Sequence, residues 1–409
     1  MIKILHTADW HLGQKFFHRT RRAEHKAALD WLLQLIEQEN IDLLLIAGDI
    51  FDTDNPTNYA RKLYYDFLQQ LQTTSCQAVV VVAGNHDSAN MLDATKNLLG
   101  SLAVFVIGSI PEDRAEQIIP IKDSQTGQLK AVVGAVPYLR DRDVRQSVAG
   151  EDYDRGIERL KAGIHQHYQE VATAMASYVE QDVPLIVTGH LYAAGGERGE
   201  RPDIIHIGHA DVIGSDSFSD IFDYVALGHL HRAQQLAAPR QIWYSGSLIP
   251  LDFSELNYSQ SVRVIGFENK KITLNKNVVV PLTRKLRTFR GEVQYIKQQL
   301  ENLSPAAALD TWLRLEVETD SQLPHLQEEL EEILAEKPAE IMQLKLLSSA
   351  TRSMDTMAYQ ELQSLDDLEA IDVFRLAAQQ GGTLEEETLQ QLENSFKELL
   401  SWMQERPKE

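Results

Sequence analysis

Five short apolar runs in the first 231 residues follow one pattern: aliphatic, largely β-branched residues, then an abrupt break, then polar residues rich in histidine and aspartate. Residues 2–6 lead to Asp9 and His11, residues 41–46 to Gly48-Asp49, and residues 78–82 to Gly84-Asn85-His86-Asp87. Residues 185–188 lead to Gly189-His190, and residues 224–227 to Gly228-His229-Leu230-His231. Each run has the length and boundaries of a buried strand. Polar side chains just past strand ends are where an open α/β sheet builds its ligand site. Between the runs lie helical patterns, among them residues 21–38, with Leu29, Leu32, Leu33 and Ile36 on one face, and residues 56–71, opening on a proline suited to a first turn. The alternation predicts a layered α/β domain.

Residues 118–121 and 130–136 flank a turn-rich Asp123-Ser124-Gln125-Thr126-Gly127 and read as a hairpin. After His231 the pattern turns strand-rich at 242–245, 261–267 and 272–280, which predicts a second sheet packed on the first. Near Pro281 the character changes through the basic Arg284, Lys285, Arg287 and Arg290, which read as linker surface rather than as a nucleic-acid contact, the alternative they also suit. A second alternation follows, with helices at 292–300 and 323–334 and strands at 311–317 and 340–347, and predicts a small α+β domain. Amphipathic helices are expected at 366–378 and 384–403, suited to packing on the body or to docking a partner subunit. The predicted division is 1–280, 281–350 and 351–409.

The formal net charge of −21 argues at first against a nucleic-acid partner, because phosphates select basic surfaces. Residues 291–409, however, hold 25 Asp+Glu against 9 Lys+Arg, a balance of −16, so only −5 falls on residues 1–290. A polyanion can approach that region where bound divalent cations add positive charge. No apolar run approaches the ~20 residues needed to cross a bilayer, so no membrane partner is expected. The N-terminus passes directly into a strand-like run without a secretory leader, and the single Cys76 has no partner for an internal disulfide. The expectation is a soluble, cytoplasmic protein.

Two divalent ions ~3.5–4 Å apart can clamp the attacking and leaving oxygens of an in-line displacement at phosphorus. Such a site needs a bridging group, and Asp49, with two carboxylate oxygens just past a buried run, suits that task. Asp9, His11, Asn85, His190, His229 and His231 complete the inventory. Mixed imidazole, carboxylate and amide ligation suits Mn2+, Fe2+ or Zn2+ better than Mg2+.

Asp9-x-His11, Gly48-Asp49, Gly84-Asn85-His86-Asp87, Gly189-His190 and Gly228-His229-x-His231, in this order, resemble the calcineurin-like metallophosphoesterases. The longer forms Ala8-Asp9-Trp10-His11-Leu12-Gly13, Ala47-Gly48-Asp49-Ile50-Phe51-Asp52 and Ala226-Leu227-Gly228-His229-Leu230-His231 are similar to that family's DNA-end-processing nuclease branch. The resemblance is close over residues 1–250 and one of layout beyond Pro281. It implies an α/β fold: a layered metallophosphoesterase domain with two packed mixed sheets flanked by helices, then a small α+β capping domain and C-terminal helices. It further implies two divalent ions, Mn2+ above all, one held by Asp9, His11, Asp49 and His231 and the other by Asp49, Asn85, His190 and His229. His86 would stand clear of the ions as the catalytic group that protonates the leaving oxygen or steadies transition-state charge, with Asp87 as its orienting neighbour.

The implied activity is Mn2+-dependent hydrolysis of DNA phosphodiesters, exonucleolytic at duplex ends and endonucleolytic on single strands and hairpins, in DNA recombination, replication and repair. The implied partners are DNA and an SbcC-like ATPase, in a heterotetramer built on a homodimer. No phosphate-cradling GxxxxGK[ST] loop occurs in this chain. Where the wider family has a histidine three residues past the bridging aspartate, this chain has Asp52, to which the resemblance gives no role. A phosphatase or phosphodiesterase acting on a non-DNA substrate would use the same two-metal set, whereas a non-catalytic scaffold would not need it complete.

Taken singly, each Gly-Asp or Gly-His pair is ordinary turn chemistry. Five of them past strand ends, in an order that assembles one site, are not. His206 and His209 fit no place in the set and read as structural. Tyr138, Arg140 and Arg142 suit either a nucleic-acid contact, by stacking and forked phosphate binding, or a solvated loop.

Overall fold

Every residue of the strand Leu43–Ala47 is buried because both of its faces are covered. Side chains alternate across a strand. Leu44 and Ile46 meet the helices Arg22–Glu39 and Asn58–Leu71, while Leu43 and Leu45 meet a second sheet. That arrangement repeats across the computed structural model, which describes residues 1–144, 153–193, 213–236, 240–304, 307–320 and 323–347 together with 392 and 396. The helix expected at 366–378, that expected at 384–403 apart from the helical 392 and 396, and His206 and His209 lie outside the described residues.

The first sheet runs, edge to edge, Lys271–Val279, Ser261–Glu268, Ile2–Thr7, Leu43–Ala47, Ala78–Val82 and Val104–Ile107. The second runs Gln234–Leu236, Ile242–Tyr244, Tyr224–Gly228, Leu185–His190, Leu129–Ala135 and Ile118–Lys122. Both are mixed, and their facing sides share one core that includes Ile4, Leu45, Val80, Val133, Ile186 and Ala226. Helix Tyr153–Met175 covers the outer face of the second sheet, giving helix, sheet, sheet and helix layers. Among the described residues no helix is long and apolar enough to cross a membrane.

The strand-rich stretch after His231 divides between the sheets instead of forming the second one by itself. Ile242–Tyr244 pairs in parallel with Tyr224–Gly228. Ser261–Glu268 instead pairs antiparallel with Ile2–Thr7 in the first sheet. Its own pattern explains the choice: Val262 and Val264 enter the helix-facing core, and Ile265 and Phe267 the core between the sheets.

A third, parallel sheet of Leu286–Gly291, Thr311–Glu318 and Ala339–Leu347 is covered by helices Val293–Glu301 and Leu326–Leu334. The basic cluster expected as linker surface is surface only in part: Lys285 and Arg290 are exposed. Arg287 and Arg290 lie within the first of these strands, and Arg284 is almost buried. The Arg284 guanidinium lies 4.0 Å above the Trp312 ring, which stacks on Phe16 at 5.3 Å. Glu24 accepts hydrogen bonds from Nε of Arg284 at 2.9 Å and Nε of Arg21 at 3.3 Å. This ion triad fastens the small sheet to the loop that follows His11.

Breaking a buried ion set by removing one partner strands the charges that remain. Glu24→Ala should therefore lower unfolding stability by about 3–5 kcal/mol in denaturant titration. A loss below about 1 kcal/mol, the scale of an exposed pair, would contradict the buried triad.

Candidate metal centre

Asp9 and His11 follow Ile2–Thr7, Asp49 follows Leu43–Ala47, and Asn85 and His86 follow Ala78–Val82, all in the first sheet. His190 ends Leu185–His190, and His229 and His231 follow Tyr224–Gly228, in the second. Within each sheet these strands are parallel, so their C-terminal ends align. The loops after the first two strands are laced together: the N–H of Asp9 donates to the Gly48 carbonyl at 3.1 Å, that of His11 to Asp49 at 3.0 Å, and that of Leu12 to Ile50 at 2.9 Å.

The lacing requires unusual backbone. Asp9, His11, Asp49 and His229 have φ of 52°, 45°, 49° and 105°, four of the nine non-glycine residues with positive φ among those described. Each such conformation costs on the order of 1–3 kcal/mol and persists where surrounding structure fixes the side chain's aim. Two glycines permit the close approach. A Cβ on Gly84 would stand 2.1 Å from Oδ1 of Asp49, and one on Gly48, at φ 88°, 2.3 Å from Nδ1 of His190.

All seven predicted ligands converge. Oδ2 of Asp49 lies 3.5 Å from Nε2 of His11 and 3.3 Å from Nε2 of His190. Oδ1 of Asn85 lies 3.0 Å from Nε2 of His190 and 3.1 Å from Nδ1 of His229. One ligand atom each from Asp9, His11 and His231 fall within 4.8 Å of one another, as do those of Asp9, Asp49 and His190. Donor atoms ~2.0–2.2 Å from a shared ion, at tetrahedral or octahedral angles, stand ~2.8–3.6 Å apart. Nε2 of His11 is buried without a hydrogen-bond partner, an arrangement that costs stability unless something takes the lone pair. The donor set fits divalent ions.

The electrostatics show the same need. Burial pushes the Asp9 carboxyl up to about 6. Burial also opposes ionisation of Asp49, but His190, His11 and His86 outweigh it and hold this carboxyl well below its usual range. For His190, burial is outweighed by Asp49 and then Asp9, and the ring rises to about 9. Burial takes His11 the other way, to about 4.

His86 stands beside this cluster, its ring 4.8 Å from that of His11 and its N–H on Oδ1 of Asp49 at 3.0 Å. Its Nδ1 faces the Asp52 carbonyl at 2.8 Å and donates to it, which turns Nε2 toward the site. Asp87, expected to orient His86, is occupied differently. Its carboxylate accepts the N–H groups of Gly84 at 2.8 Å, Phe51 at 2.9 Å and Ile50 at 3.2 Å, so it clamps two ligand loops together while the Asp52 carbonyl orients His86. Oδ1 of Asp52 also lies 3.2 Å from Nδ1 of His11. Tyr138 lies near the site, 6.2 Å from the His190 ring, and Arg140 reaches the Asp87 carbonyl at 3.3 Å, whereas Arg142 is exposed and paired with Asp143. The sequence reading missed Glu255, whose Oε1 is 2.7 Å from Nδ1 of His231. Only the helix-starting Asp252 marks its neighbourhood in the sequence.

A histidine- and carboxylate-lined centre at the shared edge of two packed sheets defines a class, and the chain belongs to it: the calcineurin-like phosphoesterases, whose family model matches residues 2–233. Those enzymes use a dinuclear metal site. A second family model, described as the Type 5 capsule protein repressor C-terminal domain, matches residues 282–381. The chain is 36% identical to SbcD, a component of the SbcCD nuclease of Escherichia coli (strain K12), over 97% of each chain. It is 31% identical to the SbcD of Bacillus subtilis (strain 168), over 79% of this chain and 80% of that one. Within the phosphoesterases, the chain is thus a member of the SbcD family.

Ligation requires His190 to give up its proton. A group raised to about 9 from 6.5 contributes stability below pH 6.5 and loses it as the pH rises through about 9. The metal-free protein should therefore melt at progressively lower temperature across that window, while the stabilisation added by Mn2+ grows. Thermal melts with and without Mn2+ test this; a metal-induced shift that stays flat or shrinks with rising pH would contradict it.

Proposed function

We propose that this chain is the nuclease component of an SbcCD-type complex, hydrolysing DNA phosphodiesters with two Mn2+ ions. The observation that carries this reading is the convergence of ligand atoms from five strand ends, with His86 beside them and oriented by the Asp52 carbonyl. Asp9, His11, Asp49 and His231 would hold one ion, and Asp49, Asn85, His190 and His229 the other. The mixed nitrogen and oxygen set favours Mn2+ over Mg2+. When bound, the ion pair supplies Lewis acidity, making a nucleophile from water at neutral pH and offsetting charge on the phosphoryl oxygens.

The protein's own groups do the rest. Asp49 would be the ligand common to both ions. His86, whose Nδ1 donates to the Asp52 carbonyl, offers Nε2 as the nitrogen through which a proton would pass to the leaving oxygen. Asp87 acts one step removed, by keeping the Gly84 and Ile50-Phe51 backbones together. Tyr138 and Arg140, beside His190 and Asp87, are placed to meet the DNA strand.

Residues 281–350 serve as a capping domain over residues 1–280, a reading supported by the Trp312 and Arg284 contacts. Residues 351–409 supply the docking segment for an SbcC-like ATPase. The working assembly is a homodimer within a heterotetramer, in the cytoplasm, and acts exonucleolytically on duplex ends and endonucleolytically on single strands and hairpins. The names of the relatives support the partner and the substrate.

Purified chain with Mn2+ should degrade end-labelled duplex, single-stranded and hairpin DNA. His86→Ala should keep both ions, counted by titration, and lose turnover by about 10²–10⁴-fold. Hydrolysis of aryl phosphates with DNA untouched would point to a non-DNA phosphodiesterase, and metal loss in the variant would make His86 a ligand.

A further inference from the structure

Two of the four histidines expected to bind metal are aimed by one device. His190 presents Nδ1 to the Ala47 carbonyl at 2.9 Å and His11 presents Nδ1 to Asp52 at 3.2 Å, and each turns Nε2 toward Asp49. Bonding one ring nitrogen to an acceptor fixes the tautomer and leaves the other nitrogen's lone pair for an ion. His231 sits 5.2 Å from His11, ring to ring, and meets Glu255 in the same way, at 2.7 Å.

We propose that Glu255 is the positioning residue of the first ion site: it holds the proton of His231 on Nδ1 and so reserves Nε2 for the metal. The inference rests on the two-ion reading above. The Glu255 side chain is 1% exposed and that of His231 8%, so water does not substitute for either partner. Both carboxylate oxygens are engaged, since Oε2 accepts the N–H of Leu251 at 2.8 Å. That second bond fixes the carboxylate's rotation. The Leu251 carbonyl in turn accepts from Nε2 of Gln14 at 2.8 Å, and the Gln14 N–H donates to the His11 carbonyl at 3.0 Å. The segment that aims His231 is thereby registered to the loop that carries His11, another predicted ligand of the same ion. A carboxylate only accepts hydrogen bonds, so it enforces one tautomer of the ring it touches.

Glu255→Gln tests the proton's place directly. The amide oxygen can keep the Leu251 N–H, but the amide NH2 then faces Nδ1 of His231 and drives the ring proton to Nε2, where the ion should bind. Isothermal titration of the metal-free full chain with Mn2+ should show one site weakened about 10–100-fold and the other within twofold of wild type. In a His231→Ala background the same change should add no further loss, because its effect passes through that ring. In the unaltered metal-free protein, 15N spectra of the imidazoles should show His231 protonated at Nδ1, a readout that needs no variant.

Two Mn2+ sites of wild-type affinity in Glu255→Gln, additive losses in the double variant, or an Nε2-protonated His231 would each overturn the proposal and leave the two-ion centre standing. Failure of the wild-type chain to take up two ions would instead strike the reading on which the proposal rests.

Discussion

The centre of this molecule is governed by one electrostatic problem: Asp9 and Asp49 are buried side by side at the junction of two sheets. Removing a carboxylate from water costs several kcal/mol unless positive charge meets it. Without ions, only imidazoles supply that charge, and they supply it unevenly. Asp49 remains ionised against a His190 raised to about 9, while Asp9 is pushed up to about 6. Two divalent cations would resolve both conditions at once, ionising Asp9 and releasing the His190 proton. The surrounding architecture is the scaffold that brings five strand ends close enough to pose this problem.

That scaffold is tensioned as well as packed. Three of the four residues of the centre with positive φ lie in the laced loops after Thr7 and Ala47, where backbone bonds between the loops compensate for the strain. Asp87 ties the same region from beneath by accepting three backbone N–H groups. Its burial, followed by repulsion from Asp49, raises its carboxyl to about 6 even though those bonds favour the charged form. Further out, Arg21, Glu24 and Arg284 connect the small third sheet to the strand-end loop of His11, so that sheet rests on the same loop that feeds the centre.

What was legible in the sequence was local. A β-branched run followed by glycine and a polar residue marks a strand end without knowledge of its neighbours, so all seven side chains that converge at the centre could be picked out from the sequence. What was hidden depended on pairing at a distance. Ser261–Glu268 gives no local sign that it will lie against Ile2–Thr7. Asp87 follows His86 in the chain, which suggests an orienting partner, yet two of its three bonds reach residues 36 and 37 positions away. Arg284 reads as surface charge until Glu24, 260 residues earlier, is beside it. Glu255 lies 24 residues beyond His231, outside any motif.

The central claim is that one carboxylate serves two ions, and Asp49→Asn tests it most directly because the replacement keeps the shape and removes the charge. Titration of metal-free wild type with Mn2+ should resolve two sites. In the variant both should weaken together, each by about 10-fold or more. If one site kept its wild-type affinity while the other vanished, Asp49 would belong to a single ion and the shared-ligand account would be wrong.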